Sequence, residues 1–199
     1  MKHIFGLITV LSIFILMSFN SQSGKKIIVI DAGHGGVDNG VVVDGVYEKD
    51  VVLDIAKLIK TLNKNKNIEI ILLRDNDETL SLEERVKRIN SFKPNMVISL
   101  HMNMKPKSDA SGTEIYVYKE GEYYKDSKMF AESLLESIPK NLKKGNVKDA
   151  NFFILKNSEC PAVLVELGYM SNKNDREYLT RVDGQEELTV ALLEVVNTL

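Results

Sequence analysis

Ile27-Ile28-Val29-Ile30-Asp31-Ala32-Gly33-His34-Gly35-Gly36 is an apolar run that breaks into a glycine-rich loop around a histidine. Four β-branched residues in a row, without polar alternation, describe a strand buried on both faces, as in parallel sheets. A helical stripe follows from about Asp50 to Leu62, with Val51, Ile55, Leu58, Ile59 and Leu62 on one face. Ile68 to Leu73 reads as the next strand. Ser81-Leu82-Glu83-Glu84 carries a capping box and opens a helix that ends before Pro94. Val97 to Leu100 and the alternating Thr113 to Tyr118 read as strands, and Ser127 to Ile138 as a helix. Phe152 to Leu155 and Ala162 to Val165 read as further strands, and Gln185 to Leu199 as a closing helix. Strand–helix alternation of this kind predicts an α/β fold. It is a single domain over residues 25–199, a twisted and mostly parallel sheet flanked by helices on both faces.

The bulk properties fit that reading. The chain has 199 residues, 44% of them hydrophobic and 27% charged, so one stable core is within reach. A net charge of -2 gives no basic face for nucleic acid. Lys140, Lys143, Lys144 and Lys148 cluster in the second half and read as a solvated face. Cys160 is the only cysteine, which excludes an internal disulfide and reads as a small core residue.

The N-terminus has its own logic. Met1-Lys2-His3 is short and basic, and Ile4 to Phe19 is almost wholly apolar, somewhat shorter than a membrane span needs. Polar and small residues follow from Asn20 to Gly24. Residues 1–23 therefore read as a secretory signal peptide, or as an uncleaved anchor if the cleavage context fails. Either way the domain is exported, to the periplasm or cell envelope, and touches a membrane only through that segment.

Three histidines occur in the whole chain. His3 lies in the leader. His34 and His101 each stand just past the end of a predicted strand, where sites of open α/β sheets assemble. Glu48 opens the first helix and can reach the same crevice. Two nitrogen ligands and one oxygen ligand, with water in the fourth place, form the open arrangement of catalytic zinc. A structural zinc would want four protein ligands, often cysteines. Glu166 ends the Ala162–Val165 run, and a carboxylate there could be a fourth ligand, a structural ion pair or a general base. The glycine-rich loop has neither the Gly-x-Gly-x-x-Gly spacing nor the Lys-Ser/Thr of a phosphate cradle.

Asp31-Ala32-Gly33-His34-Gly35-Gly36, Glu48, Ser99-Leu100-His101-Met102-Asn103 and Pro161 to Asn172 resemble the zinc-dependent N-acetylmuramoyl-L-alanine amidases of the amidase-3 type. The blocks keep the family's order and span nearly everything after the leader. The resemblance implies one zinc ion on His34, Glu48 and His101, with Glu166 as the catalytic carboxylate. It implies cleavage of the amide between N-acetylmuramic acid and L-alanine in peptidoglycan. Leu73-Arg74-Asp75 and Ser81 to Arg85 also match, and are expected to support loops; Asn103 is expected to orient substrate or, the favoured reading, to hold its loop.

Some relatives carry a helix that plugs the cleft between the second histidine and the final glutamate. Here that interval reads as strand, helix and strand, so an open site is expected. No separate wall-binding module is legible, which leaves targeting to this domain, a retained anchor or a protein activator. A monomer is expected. Two rivals share the residues: a silent peptidoglycan-binding protein and a secreted zinc peptidase.

Overall fold

The computed structural model of the chain describes residues 24–106 and 109–199. Residues 1–23, which read as a signal peptide or anchor in the sequence, lie outside the described residues. Strand β1 (Lys26–Ala32) is followed by a small hairpin, β2 (Val42–Val43) and β3 (Val46–Tyr47), and by α1 (Glu48–Leu62). Then come β4 (Ile68–Leu72), α2 (Leu82–Phe92), β5 (Met96–Asn103), β6 (Thr113–Val117) and α3 (Tyr124–Ser137). The chain closes with β7 (Lys144–Asp149), α4 (Phe153–Asn157), β8 (Ala162–Tyr169), α5 (Lys173–Thr180) and α6 (Val182–Val196).

Six strands form one sheet in the order β4-β1-β5-β8-β6-β7, and only the β6–β8 pairing is antiparallel. The single, mostly parallel α/β sheet is the architecture read from the apolar runs. Its faces are covered unequally. Ile28, Ile30, Ile98, Leu100, Val163 and Val165 pack under α1, α3 and α6 in the larger core. Val29, Val97, Ala162 and Leu164 face the other way, under the short helices α2 and α4.

Local signals explain the boundaries. The Ser81 hydroxyl accepts the Glu84 backbone N–H at 3.1 Å, so the capping box starts α2 as expected. Lys93 ends that helix in the left-handed region, immediately before Pro94.

Two sequence readings need correction. Phe152 to Leu155 is not a strand: Phe152 caps and Phe153 begins helix α4. β8 already has β5 and β6 on its two sides, and the far side of β6 is taken by β7. The segment instead closes one helical turn, with the Asn157 side-chain amide donating to the Phe153 carbonyl at 2.7 Å. Strand β7 is the element that was read only as a lysine-rich solvated face. Its sequence, Lys-Gly-Asn-Val-Lys-Asp, suits a sheet edge, where charge blunts pairing with other chains. Helix α5 also escaped the sequence reading; its cap is Asn172, whose side chain accepts from Asn174 and Asp175 N–H. Cys160 is buried, as expected, and burial pushes its thiol up to about 12.

Candidate active site

The register of the sheet lays the key residues out as a grid on the thinly covered face. Asp31, Ser99, Leu164 and Tyr116 sit side by side across β1, β5, β8 and β6. Two residues further along, His101, Glu166 and Glu114 form the next row. Side chains alternate along a strand, so both rows point to the same face. His34 leaves β1 through the glycine loop, and Glu48 comes over the sheet edge from the first turn of α1.

The three expected ligands converge. One donor atom from each of His34, Glu48 and His101 lies within 4.8 Å of the others. Glu48 Oε1 is 3.1 Å from His34 Nε2 and 3.1 Å from His101 Nδ1. The two imidazole rings stand edge to face, 5.0 Å between centroids. Glu48 is almost wholly buried at 2% exposure, and backbone fixes it. Met102 N–H donates to its Oε1 and Val41 N–H to its Oε2, both at 2.9 Å. The imidazoles keep 24% and 21% of their side-chain surface, so solvent reaches the cluster from one side. The interval from His101 to Glu166 is filled by β6, α3, β7 and α4, and a cleft opens beside the cluster.

Packing explains why the loop holds this shape. His34 has φ 58°, a left-handed conformation uncommon for residues with a side chain. Arg85 and Arg74, both buried, pin the chain on either side of it. Arg85 donates to the Asp31 carboxylate, the Ala32 carbonyl and the His34 carbonyl. Arg74 donates to the carbonyls of Ala32, Gly33 and Lys49. The Ser99 hydroxyl takes the other Asp31 oxygen at 2.7 Å, tying β1 to β5 beneath the site. Gly33 has no room for a side chain: a Cβ there would lie 2.3 Å from His101 Cε1. The two arginines thus carry the loop-supporting role expected of their segments. Asn103 holds its own turn through Met104 N–H, as expected, and also donates to Glu114.

The electrostatics favour positive charge at the cluster. Burial lowers the His34 pKa, but hydrogen bonds and charge from Glu48 and Asp38 outweigh it and push the imidazole up to about 9. Asp38 Oδ2 lies 2.8 Å from His34 Nδ1 and orients the ring so that Nε2 faces Glu48. Burial alone would raise Glu48, yet hydrogen bonds with His101 and His34 hold it well below the usual carboxylate range. Two imidazoles and an anionic carboxylate are a donor set that zinc accepts.

Glu166 has the opposite character. Burial raises its carboxyl to about 7; the His101 charge opposes the rise, and repulsion from Glu48 and Glu114 supports it. Its Oε2 is buried and has no hydrogen-bond partner. A carboxyl near neutrality, with an unengaged oxygen beside three converging ligands, is suited to proton transfer.

Sequence reasoning missed Asp38 and the cluster around Glu114. Lys148 pairs with Glu114, and the Tyr116 hydroxyl donates to it at 3.0 Å. The alternation of Thr113 to Tyr118 contained the signal, since Glu114, Tyr116 and Tyr118 all fall on the face opposite the larger core.

Known proteins share this fold. Residues 28–198 match the family model described as N-acetylmuramoyl-L-alanine amidase. The N-acetylmuramoyl-L-alanine amidase LytC of Bacillus subtilis is 34% identical over 167 residues, which are 83% of this chain and 34% of LytC. The chain therefore spans about a third of that relative. The catalytic domain of CwlV, an amidase from Bacillus (Paenibacillus) polymyxa var. colistinus, superimposes with a TM-score of 0.80 at 31% identity, over 87% of this chain and 97% of that domain. The CwlD amidase of Clostridioides difficile, solved in complex with the GerS lipoprotein, gives a TM-score of 0.80 at 27% identity, over 87% and 98% of the two chains. The chain belongs to the N-acetylmuramoyl-L-alanine amidase family and is an amide hydrolase of that family.

Proposed function

We propose that the domain at 25–199 is zinc-dependent and hydrolyses the amide between the lactyl group of N-acetylmuramic acid and L-alanine in peptidoglycan. His34, Glu48 and His101 would hold one zinc ion, and Glu166 is the catalytic carboxylate. The observation that carries this reading is the pairing of a preformed His-Glu-His cup with an unpartnered, near-neutral carboxyl one strand away. Zinc, when bound, supplies Lewis acidity that polarises a carbonyl and eases the ionisation of water. Glu166 Oε2 accepts the proton of the attacking water and later gives it to the departing amine of L-alanine. A binding-only protein would have no use for such a group held out of hydrogen bonding.

Substrate in the wall implies export, which residues 1–23 would direct. Among the described residues no helix is long and apolar enough to cross a membrane. CwlD is recorded with a lipoprotein, and a protein activator for this chain fits that precedent. The test is mass spectrometry of purified sacculi digested with residues 24–199, with added zinc or with a chelator. Zinc-dependent release of stem peptides with a free L-alanine amino terminus is the expected result. Release that ignores the chelator would defeat the zinc reading, and cleavage at a peptide bond within the stem would defeat the amidase reading.

A further inference from the structure

The cleft beside the cluster encloses about 430 Å³, and its lining includes His34, His101 and Glu166 together with apolar side chains, among them two adjacent phenylalanines, Phe152 and Phe153. Core packing explains Ile154 and Leu155, which are buried. It does not explain Phe152 and Phe153, which are 40% and 38% exposed at the start of α4.

Phe152 is held in place. Its ring meets Tyr116 edge to face, with centroids 5.3 Å apart and planes at 72°. Tyr116 in turn is fixed by its hydroxyl bond to Glu114 and by Lys148, which lies 5.7 Å from the ring centroid. The result is a part-exposed aromatic surface, packed on Tyr116 and open to the same cleft as Glu166.

We propose that Phe152 is a stacking platform for a pyranose ring of the glycan strand. The proposal rests on the amidase reading above, which identifies the polymer. In that substrate the scissile carbonyl is joined to the sugar through only one carbon and one ether oxygen. A sugar ring therefore lies within a few bonds of the cluster whenever the amide is there, within reach of the cleft lining. A pyranose has an apolar face of weakly positive C–H groups and a polar rim. That face complements the negative face of an aromatic ring, while the rim stays in contact with water.

The chain contains no tryptophan, so Phe152→Trp introduces a single fluorescent reporter at the platform. Titrating that variant with peptide-free glycan strands should give a saturable emission change, and free stem peptide should give none. Phe152→Leu keeps apolar bulk but removes the ring face. It should raise KM for a muramoyl-peptide about tenfold and leave kcat within about twofold. No emission change at millimolar glycan, a change driven by stem peptide instead, or an unaltered KM in Phe152→Leu would each overturn the platform. If Phe152→Leu does not fold, the tryptophan titration still decides. Glycan binding is read without turnover, so the two readings fail separately. Binding without amide hydrolysis would sink the amidase reading alone; hydrolysis without a glycan response would sink the platform alone.

Discussion

Replacing Glu166 by glutamine should stabilise the metal-free protein at alkaline pH while abolishing turnover. The carboxyl sits at about 7 in the folded chain against an ordinary 4.5, because burial opposes its charge. A raised folded-state pKa favours folding below pH 4.5, where both states hold the proton. The benefit is lost progressively as pH rises to about 7 and is fully gone above it. At 1.36 kcal/mol per pH unit, the charged form costs on the order of 3 kcal/mol at pH 8. Glutamine keeps the shape and carries no charge. Chelated Glu166→Gln should therefore melt about 6–12 °C above chelated wild type at pH 8, using about 2–4 °C per kcal/mol for a domain of this size. At pH 4.5 the two curves should lie within about 2 °C. Comparing the difference between variants cancels the titration of His34 and other groups common to both. Equal melting temperatures at both pH values would refute the claim that Glu166 is held charged at a cost, and with it the account of how it serves as a base. Zinc content should be unchanged in the variant, since the expected ligands are elsewhere.

Glu48→Gln keeps one backbone acceptor, loses the other and removes the anionic ligand, so zinc affinity should fall about a hundredfold in competition with a chromophoric chelator; undiminished affinity would remove Glu48 from the ligand set. Gly33→Ala places a methyl 2.3 Å from His101 Cε1, so it should lower zinc occupancy and kcat together, and wild-type occupancy by metal analysis would show that the His101 ring has room to move. Arg85→Met leaves the buried Asp31 carboxylate without its cation and should cost about 3–5 kcal/mol in denaturant unfolding; a loss under about 1 kcal/mol would refute the role of this pair in holding the loop.

Much of this site was legible because its chemistry is concentrated in rare residues at element ends. The two histidines stand where apolar runs stop, and a continuous run announces a strand buried on both faces. Fold class and the His34–Glu48–His101 set follow from those features together with the family pattern. The misread elements lack such contrast. Phe152-Phe153-Ile154-Leu155 has strand propensity throughout, and only the occupied neighbours of β8 and β6 decide for a helix. β7 is an edge, so its lysines and glycine describe solvent exposure and hide the pairing with β6. Glu114 could not be found from its own surroundings in sequence. Its place beside Glu166 comes from the one antiparallel pairing in the sheet, a relation between residues 52 positions apart.

The anchoring of Glu48 has a consequence for the order of events in the enzyme's life. Both carboxylate oxygens are already seated on backbone N–H groups, at Val41 and Met102. The carboxylate corner of the cup is therefore set by backbone folding. An ion bound as proposed would find that corner already in place. If the zinc proposal holds, the domain would fold before it meets the metal and be loaded afterwards.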